Sequence, residues 1–207
     1  MADTRQRLID GAIDTIRTHG IAGTSARTIA ATAGVSQALV FYHFGSVNDL
    51  LRAACLDATQ ARVVAYADRL SQVANLRELL AVGRNLHAEE RTHGNVMVLA
   101  QMLAGAQNDA HLAEATATAL EKWIAPIEQT LGRLLATSPA AGLIDTAGLA
   151  RAVSAAFIGL ELYEGVAPDA AQTALDSLDR LAVLLEVMDD LGPVARRALR
   201  AKLRRAG

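Results

Sequence analysis

The chain has 207 residues, of which 52% are hydrophobic and only 3% aromatic, so its apolar content is aliphatic, chiefly Ala and Leu, which favours helices over strands. A single cysteine, Cys55, excludes a disulfide framework and a cysteine metal site. No run approaches the roughly 18 uncharged apolar residues of a membrane span, and the charged, periodic start is unlike a secretory leader. The net charge of −2 hides a division: residues 51–191 carry ten basic and eighteen acidic side chains, whereas 192–207 carry six basic and none acidic.

In chain order, the spacing of Leu8, Ala12, Ile13 and Ile16 predicts a first helix over about 4–17 with one buried stripe. Gly20 is read as its left-handed cap. Thr24 and Ser25 offer N-cap hydroxyls for a second helix over about 25–33, ended by Gly34. Ser36 is read as the cap of a third, over about 37–43, ended by Gly45 and Ser46. Longer helices are expected over 47–73, 76–91, 95–107, 109–137, 145–165, 170–191 and 193–205. The dipeptides Gly94-Asn95, Asn108-Asp109, Ser138-Pro139, Pro168-Asp169 and Gly192-Pro193 punctuate them. Pro126 is expected to kink or split the 109–137 segment, since it lacks an N–H and crowds the carbonyl of Lys122.

Two short helices joined by a glycine turn within 20 residues have the geometry of a helix-turn-helix. Ile29, Ala30, Ala33, Val35, Val40 and Phe44 are placed to pack on the first helix. Ala30 is small enough for close approach, and Gly34 permits a turn at positive φ. Ser36, Gln37, Leu39, Tyr42 and His43 are left facing outward, where they could reach a groove.

Over residues 5–51 the chain resembles the TetR family of transcriptional regulators. The resemblance rests on Ile29, Ala30, Ala33, Gly34, Val35 and Ser36, followed by Phe41, His43, Phe44, Ser46 and Leu50. Phe41 stands where the family usually has tyrosine, Val47 where it has lysine, and Ala38 where it has glycine. The resemblance implies an all-α fold: an N-terminal three-helix DNA-binding domain (1–46) and a larger helical ligand-binding and dimerisation domain (47–207) that carries the basic helix 193–206. It also implies base or phosphate contacts from Arg27 and Gln37. An Arg matches guanine O6/N7 and a Gln matches adenine N6/N7. Tyr42, His43, Thr24, Ser25 and Ser36 are the candidate phosphate partners, and the resemblance adds Phe41 to the DNA-binding set, without the hydroxyl that commonly touches a phosphate there. The head is neutral by count, so Arg5, Arg7 and Arg17 on the first helix are read as further phosphate partners and the salt dependence as modest.

In the larger domain, Leu149, Val153, Ala156 and Leu160 form one stripe and Leu178, Leu181 and Leu185 another, suited to a four-helix dimer interface. Ordinary intramolecular core is the competing reading of both stripes. The resemblance places an effector pocket among segments 76–165, where His93, Met97, Gln101, Trp123, Phe157 and Glu161 supply lining for a largely apolar compound with a few orienting polar groups. His87, Glu90 and His93 are spaced by three, which diverges on a helix, so no metal site is expected. No cofactor and no catalytic motif are expected either. The basic tail is read as docking on the acidic body, with nucleic-acid contact as the alternative. The expected function is a cytoplasmic, homodimeric, sequence-specific regulator of double-stranded DNA, most simply a repressor of a palindromic operator released by a small molecule. The competing class is a helical small-molecule-binding protein or enzyme with a degenerate DNA-binding head.

Overall fold

A computed structural model describes residues 2–136 and 144–189, with isolated positions beyond 191. No strand occurs among them, and the fold is all-α. The helices are α1 (Ala2–His19), α2 (Ala26–Ala33), α3 (Ala38–Phe44), α4 (Val47–Gln72), α5 (Leu76–His93), α6 (Asn95–Ala106), α7 (Ala110–Leu135), α8 (Thr146–Glu164) and α9 (Pro168–Asp189). The expected helix over 193–205 lies largely outside the described residues.

The chain forms two compact units, one comprising residues 1–65 and 92–123, the other 66–91 and 124–207. Helices α4 and α7 each contribute to both. In the first unit, Leu8, Ala12 and Ile16 of α1 are buried with Ile29 of α2, Val40 of α3 and Leu50 of α4. The predicted stripe is therefore the core of the head.

Several local devices set the head's geometry. Ser25 Oγ accepts from the Thr28 N–H while the Ser25 N–H donates to Thr28 Oγ1, a reciprocal capping box that starts α2. Thr24 is not an N-cap of α2; it closes a single 3-10 turn, its hydroxyl donating to the Ile21 carbonyl. Gly34 ends α2 at φ 63°, ψ 38°, a left-handed conformation that only glycine adopts cheaply. Helix α3 starts one residue later than expected, and Gln37, which precedes it, makes no side-chain cap. Helices α1 and α2 approach closely at Gly11, where a Cβ would sit 2.8 Å from Ala33 Cβ, and the small Ala30 is buried in the same head. Helix α6 packs on α1, where Gln101 Oε1 accepts from the Ile21 N–H at 3.3 Å and Arg17 donates to Asn95. Asp109 caps α7, accepting from the His111 and Leu112 N–H groups and from Asn48 Nδ2. These bonds, that from Leu112 foremost, hold its carboxyl below the ordinary value.

In the second unit, Arg133 donates to the Leu70 and Val73 carbonyls at the end of α4, at 2.9 and 3.1 Å. A cation there satisfies carbonyls that the helix leaves open. Glu78 closes the start of α5 by accepting from the Ala74 N–H while Asn75 Oδ1 accepts from the Glu78 N–H. Helix α8 packs against α9. Helix α7 continues through Pro126, so the segment is not split there. One further expectation needs correction. Pro168 belongs to the first turn of α9 rather than to the preceding loop, a position where proline's missing N–H costs nothing.

Candidate functional site

The α2–turn–α3 segment presents a polar and aromatic face. Arg27, Ser25, Ser36 and Gln37 are exposed, while Thr24 and His43 are half-buried. Phe41 is 48% exposed and Tyr42 73%. The chain has only seven aromatic residues, and two large rings left outside the core of such a chain point to contact with something other than its own interior. Tyr42 meets His43 edge-on, with ring centroids 5.0 Å apart.

The α1 arginines are largely committed within the fold. Arg7 Nη2 donates to the Ala33 and Gly34 carbonyls at 2.8 and 3.1 Å. It thereby neutralises the C-terminal end of α2 and ties the turn to α1. Arg17 pairs with Asp14 at 3.2 Å as well as with Asn95. The Arg5 guanidinium lies 5.0 Å from the centre of the Phe44 ring, within cation–π range. Arg7 is thus a positioning residue for the turn. Arg7→Ala is expected to destabilise the head by about 1–2 kcal/mol, from two charge-assisted bonds made at the surface. An unchanged thermal midpoint in Arg7→Ala would refute that role.

A second cluster lies buried in the second unit. His87 of α5 places Nδ1 2.6 Å from Glu161 Oε1 and Nε2 2.5 Å from Glu164 Oε2, both on α8. Phe157 meets the imidazole edge-on at 6.0 Å. Tyr66 Oη donates to Glu90, which is 1% exposed. The contact at Nδ1 is a hydrogen bond, and Glu164 closes the cluster on the other side of the ring. Burial raises the Glu161 pKa above its ordinary value. The His87 imidazole opposes that rise, and Glu90 and Glu164 reinforce it.

The predicted pocket residues divide between the units. Phe157 and Glu161 belong to the second and meet at His87. His93, Met97, Gln101 and Trp123 belong to the first. There Gln101 anchors the 3-10 turn, Trp123 is buried, Met97 is half-buried and His93 exposed. Tyr66 was not anticipated, because a lone tyrosine in a long helix carries no sequence signal of its partner. Among the described residues no three His, Cys, Asp or Glu side chains are arranged to hold a metal. Cys55 is buried, which pushes its thiol up to about 12 and makes it a poor nucleophile.

Of the stripe residues, Val153 and Ala156 are exposed and Leu149, Leu160 and Leu178 half-buried. The side chains of Leu181 and Leu185 lie outside the described residues. No described helix is long and apolar enough to cross a membrane.

A three-helix head with a capped second helix, a glycine turn and an exposed third helix, joined to an all-helical remainder, defines a helix-turn-helix protein of the regulator type. Residues 8–54 match the family described as bacterial regulatory proteins, tetR family. The multidrug binding protein EbrR, solved with malachite green, is 31% identical. That match covers 86% of this chain and 97% of EbrR, with a TM-score of 0.55. GusR of Salmonella enterica shares the fold at 19% identity, over 88% of this chain and 94% of GusR, with a TM-score of 0.69. An uncharacterised HTH-type transcriptional regulator of Mycobacterium tuberculosis is 26% identical over 125 residues, 60% of this chain and 64% of that protein. The match thus spans somewhat less than two thirds of that relative. The chain belongs to the TetR family.

Proposed function

We propose that the protein is a cytoplasmic, homodimeric, sequence-specific transcriptional regulator that represses from a palindromic operator and is released by a small molecule. The observation that carries this reading is the exposed face of α2 and α3, with Arg27, Gln37, Phe41 and Tyr42 presented by a head held rigid through Ser25, Gly34 and Arg7. Thr24 and Ser25 use their hydroxyls within the fold, which leaves Arg27 and Gln37 as the specificity contacts and Ser36, Tyr42 and His43 as backbone contacts. Two such heads related by a two-fold axis require a palindromic site.

Dimerisation is supported by the apolar face that one chain leaves uncovered on α8, at Val153 and Ala156 with Leu149 and Leu160 beside them. An effector is supported by the relative EbrR, a multidrug binding protein solved with malachite green, proflavin and imidazole. Within this chain, the second unit's Phe157 and Glu161 are the pocket residues, with His87 between Glu161 and Glu164. Release works only if the effector binds the DNA-free arrangement better than the DNA-bound one.

The test is selection from a random duplex pool by the purified protein. A palindrome is expected. Arg27→Ala and Gln37→Ala should each relax preference at defined bases, at a cost of about 1–3 kcal/mol per half-site contact. Because Arg7 and Arg17 are occupied within the fold, the slope of log K against log salt should fall well short of about −10. No enrichment at low salt would overturn the reading in favour of a small-molecule-binding protein whose head no longer binds DNA.

A further inference from the structure

The first unit contains a groove that the DNA-binding reading does not use. It has a volume of about 650 Å³ and runs along α4 from Asp49 to Gln60, a span of roughly 16 Å at the helical rise. Its floor is apolar, formed by Ile9, Phe44, Ala53 and Leu56. Arg5, stacked on the Phe44 ring, and Arg52 of α4 are among its lining residues, and Lys122 lies beside Gln60, the last α4 residue of the lining.

The charges in the groove are not equivalent. Lys122 Nζ donates to Gln60 Oε1 at 3.4 Å. Asp49 accepts from Ser46 Oγ at 2.6 Å, and its own N–H donates back to that oxygen, so it is engaged in opening α4. Asp57 lies five residues beyond Arg52, roughly 7.5 Å further along the axis. Arg5 and Arg52 make no ion pair or hydrogen bond with any described residue. Arg5 is nevertheless held in place, over the Phe44 ring. The lining of the groove therefore carries two guanidiniums with open donors beside apolar side chains.

We propose that this groove is a binding site for a small amphipathic anion, a carboxylate or sulfonate on an apolar body. The acid group is taken by the Arg5 and Arg52 guanidiniums and the body lies on Ile9, Phe44 and Leu56. Volume and lining fall in the range of small-molecule sites: a concave, largely apolar cleft with a few placed polar groups. Guanidinium donors match a planar carboxylate bidentately. Asp49 and Asp57 in the same lining disfavour a run of phosphates and leave room for a single acid group. The site belongs to the first unit and is distinct from Phe157, Glu161 and His87 in the second. His43 and Phe44 line it from the last turn of α3, so an occupant sets a negative charge against the recognition helix. On the DNA-binding reading, that charge opposes the approach of phosphates.

The test is fluorescence titration of the full-length protein, without DNA, with anilinonaphthalene sulfonate, an anionic group on an aromatic body. Saturable binding is expected. Arg5→Gln combined with Arg52→Gln should weaken it about tenfold or more, while Arg180→Gln, an exposed change on α9, should leave it unaltered. Ala53→Met, which fills the floor and keeps both charges, should also weaken it. The uncharged N-phenylnaphthylamine should bind less tightly than the sulfonate. Dye affinity unchanged in the double arginine variant would overturn the proposal, as would equal affinity for the uncharged dye. If the double variant instead loses DNA affinity and salt dependence while dye binding stays intact, the two arginines are phosphate contacts and the proposal falls. Because the titration contains no DNA, its result does not depend on whether an operator is recovered.

Discussion

Gly11→Ala is expected to destabilise the protein and weaken DNA binding, although alanine is the better helix former. On propensity alone the substitution should gain up to about 1 kcal/mol. The added Cβ, however, would lie 2.8 Å from Ala33 Cβ, 3.0 Å from Ala33 N and 3.1 Å from Ala33 Cα. Two of those three atoms are backbone, so no side-chain rotation relieves the contact and α2 has to move. Overpacking of this kind costs about 1–3 kcal/mol, which outweighs the propensity gain. The residue that has to move adjoins Gly34, whose left-handed conformation sets the turn into α3. The damage therefore reaches the recognition helix as well as the core. Gly11→Leu should be worse. Adding Ala33→Gly to Gly11→Ala should restore only part of the loss, because it removes the Cβ contact and leaves the backbone ones. Thermal unfolding of the single and double variants decides it, and a Gly11→Ala protein more stable than the parent would refute the account.

That same position shows where the sequence stops being informative. The stripe of Leu8, Ala12 and Ile16 was readable because a helix repeats its buried face every three or four residues. Ser25 and Gly34 were readable because capping and positive φ restrict residue type. Each of these signals is local. Gly11 and Ala33 touch across a helix crossing, and periodicity reports a buried face without naming what it packs against. The small, buried Ala30 is legible as a packing position, whereas the contact between Gly11 and Ala33 is not. The arginines of α1 illustrate the limit for charge: counting placed Arg5, Arg7 and Arg17 on a helix free to meet phosphates, whereas Arg7 is used on the carbonyls of Ala33 and Gly34.

In the second unit, Phe157 and Glu161 were recognisable as unusual residues in an apolar helix. Their meeting with His87, 74 residues from Glu161, was not, because nothing in either segment encodes the partner. Pocket membership also failed to follow position in the chain. Gln101 and Trp123 lie in the same stretch of sequence as His87, yet the chain passes between its two units twice within that stretch. Pro168 was misread for a related reason: proline ends helices but also starts them, and only the observed start of α9 distinguishes the two.

His87→Ala is expected to destabilise the second unit strongly, by about 3–5 kcal/mol, the range for removing one partner from a buried charged cluster. The loss of packing is secondary. The imidazole faces both Glu161 and Glu164, and without it the buried Glu161 loses the group that opposes the rise of its pKa while Glu90 and Glu164, which reinforce it, remain. Glu161→Gln should act in the opposite direction at neutral pH, since it removes a charge that burial already disfavours while keeping an oxygen to face the ring.

The pH dependence follows from the raised pKa of Glu161. A carboxyl whose folded pKa exceeds its unfolded value binds its proton more tightly in the folded state. Its contribution to stability is then fully present below the ordinary value of 4.5 and is lost as pH rises through the raised folded value. The parent protein should therefore lose stability through that window, and Glu161→Gln should flatten the loss. Denaturant unfolding of parent, His87→Ala and Glu161→Gln at about pH 5 and about pH 8 separates the terms, because the raised Glu161 carboxyl loses its proton above the ordinary value of 4.5. If Glu161→Gln keeps the parent's pH dependence, the titration belongs to another group. If His87→Ala is as stable as the parent at both values, the imidazole is not the group that holds the two carboxylates together.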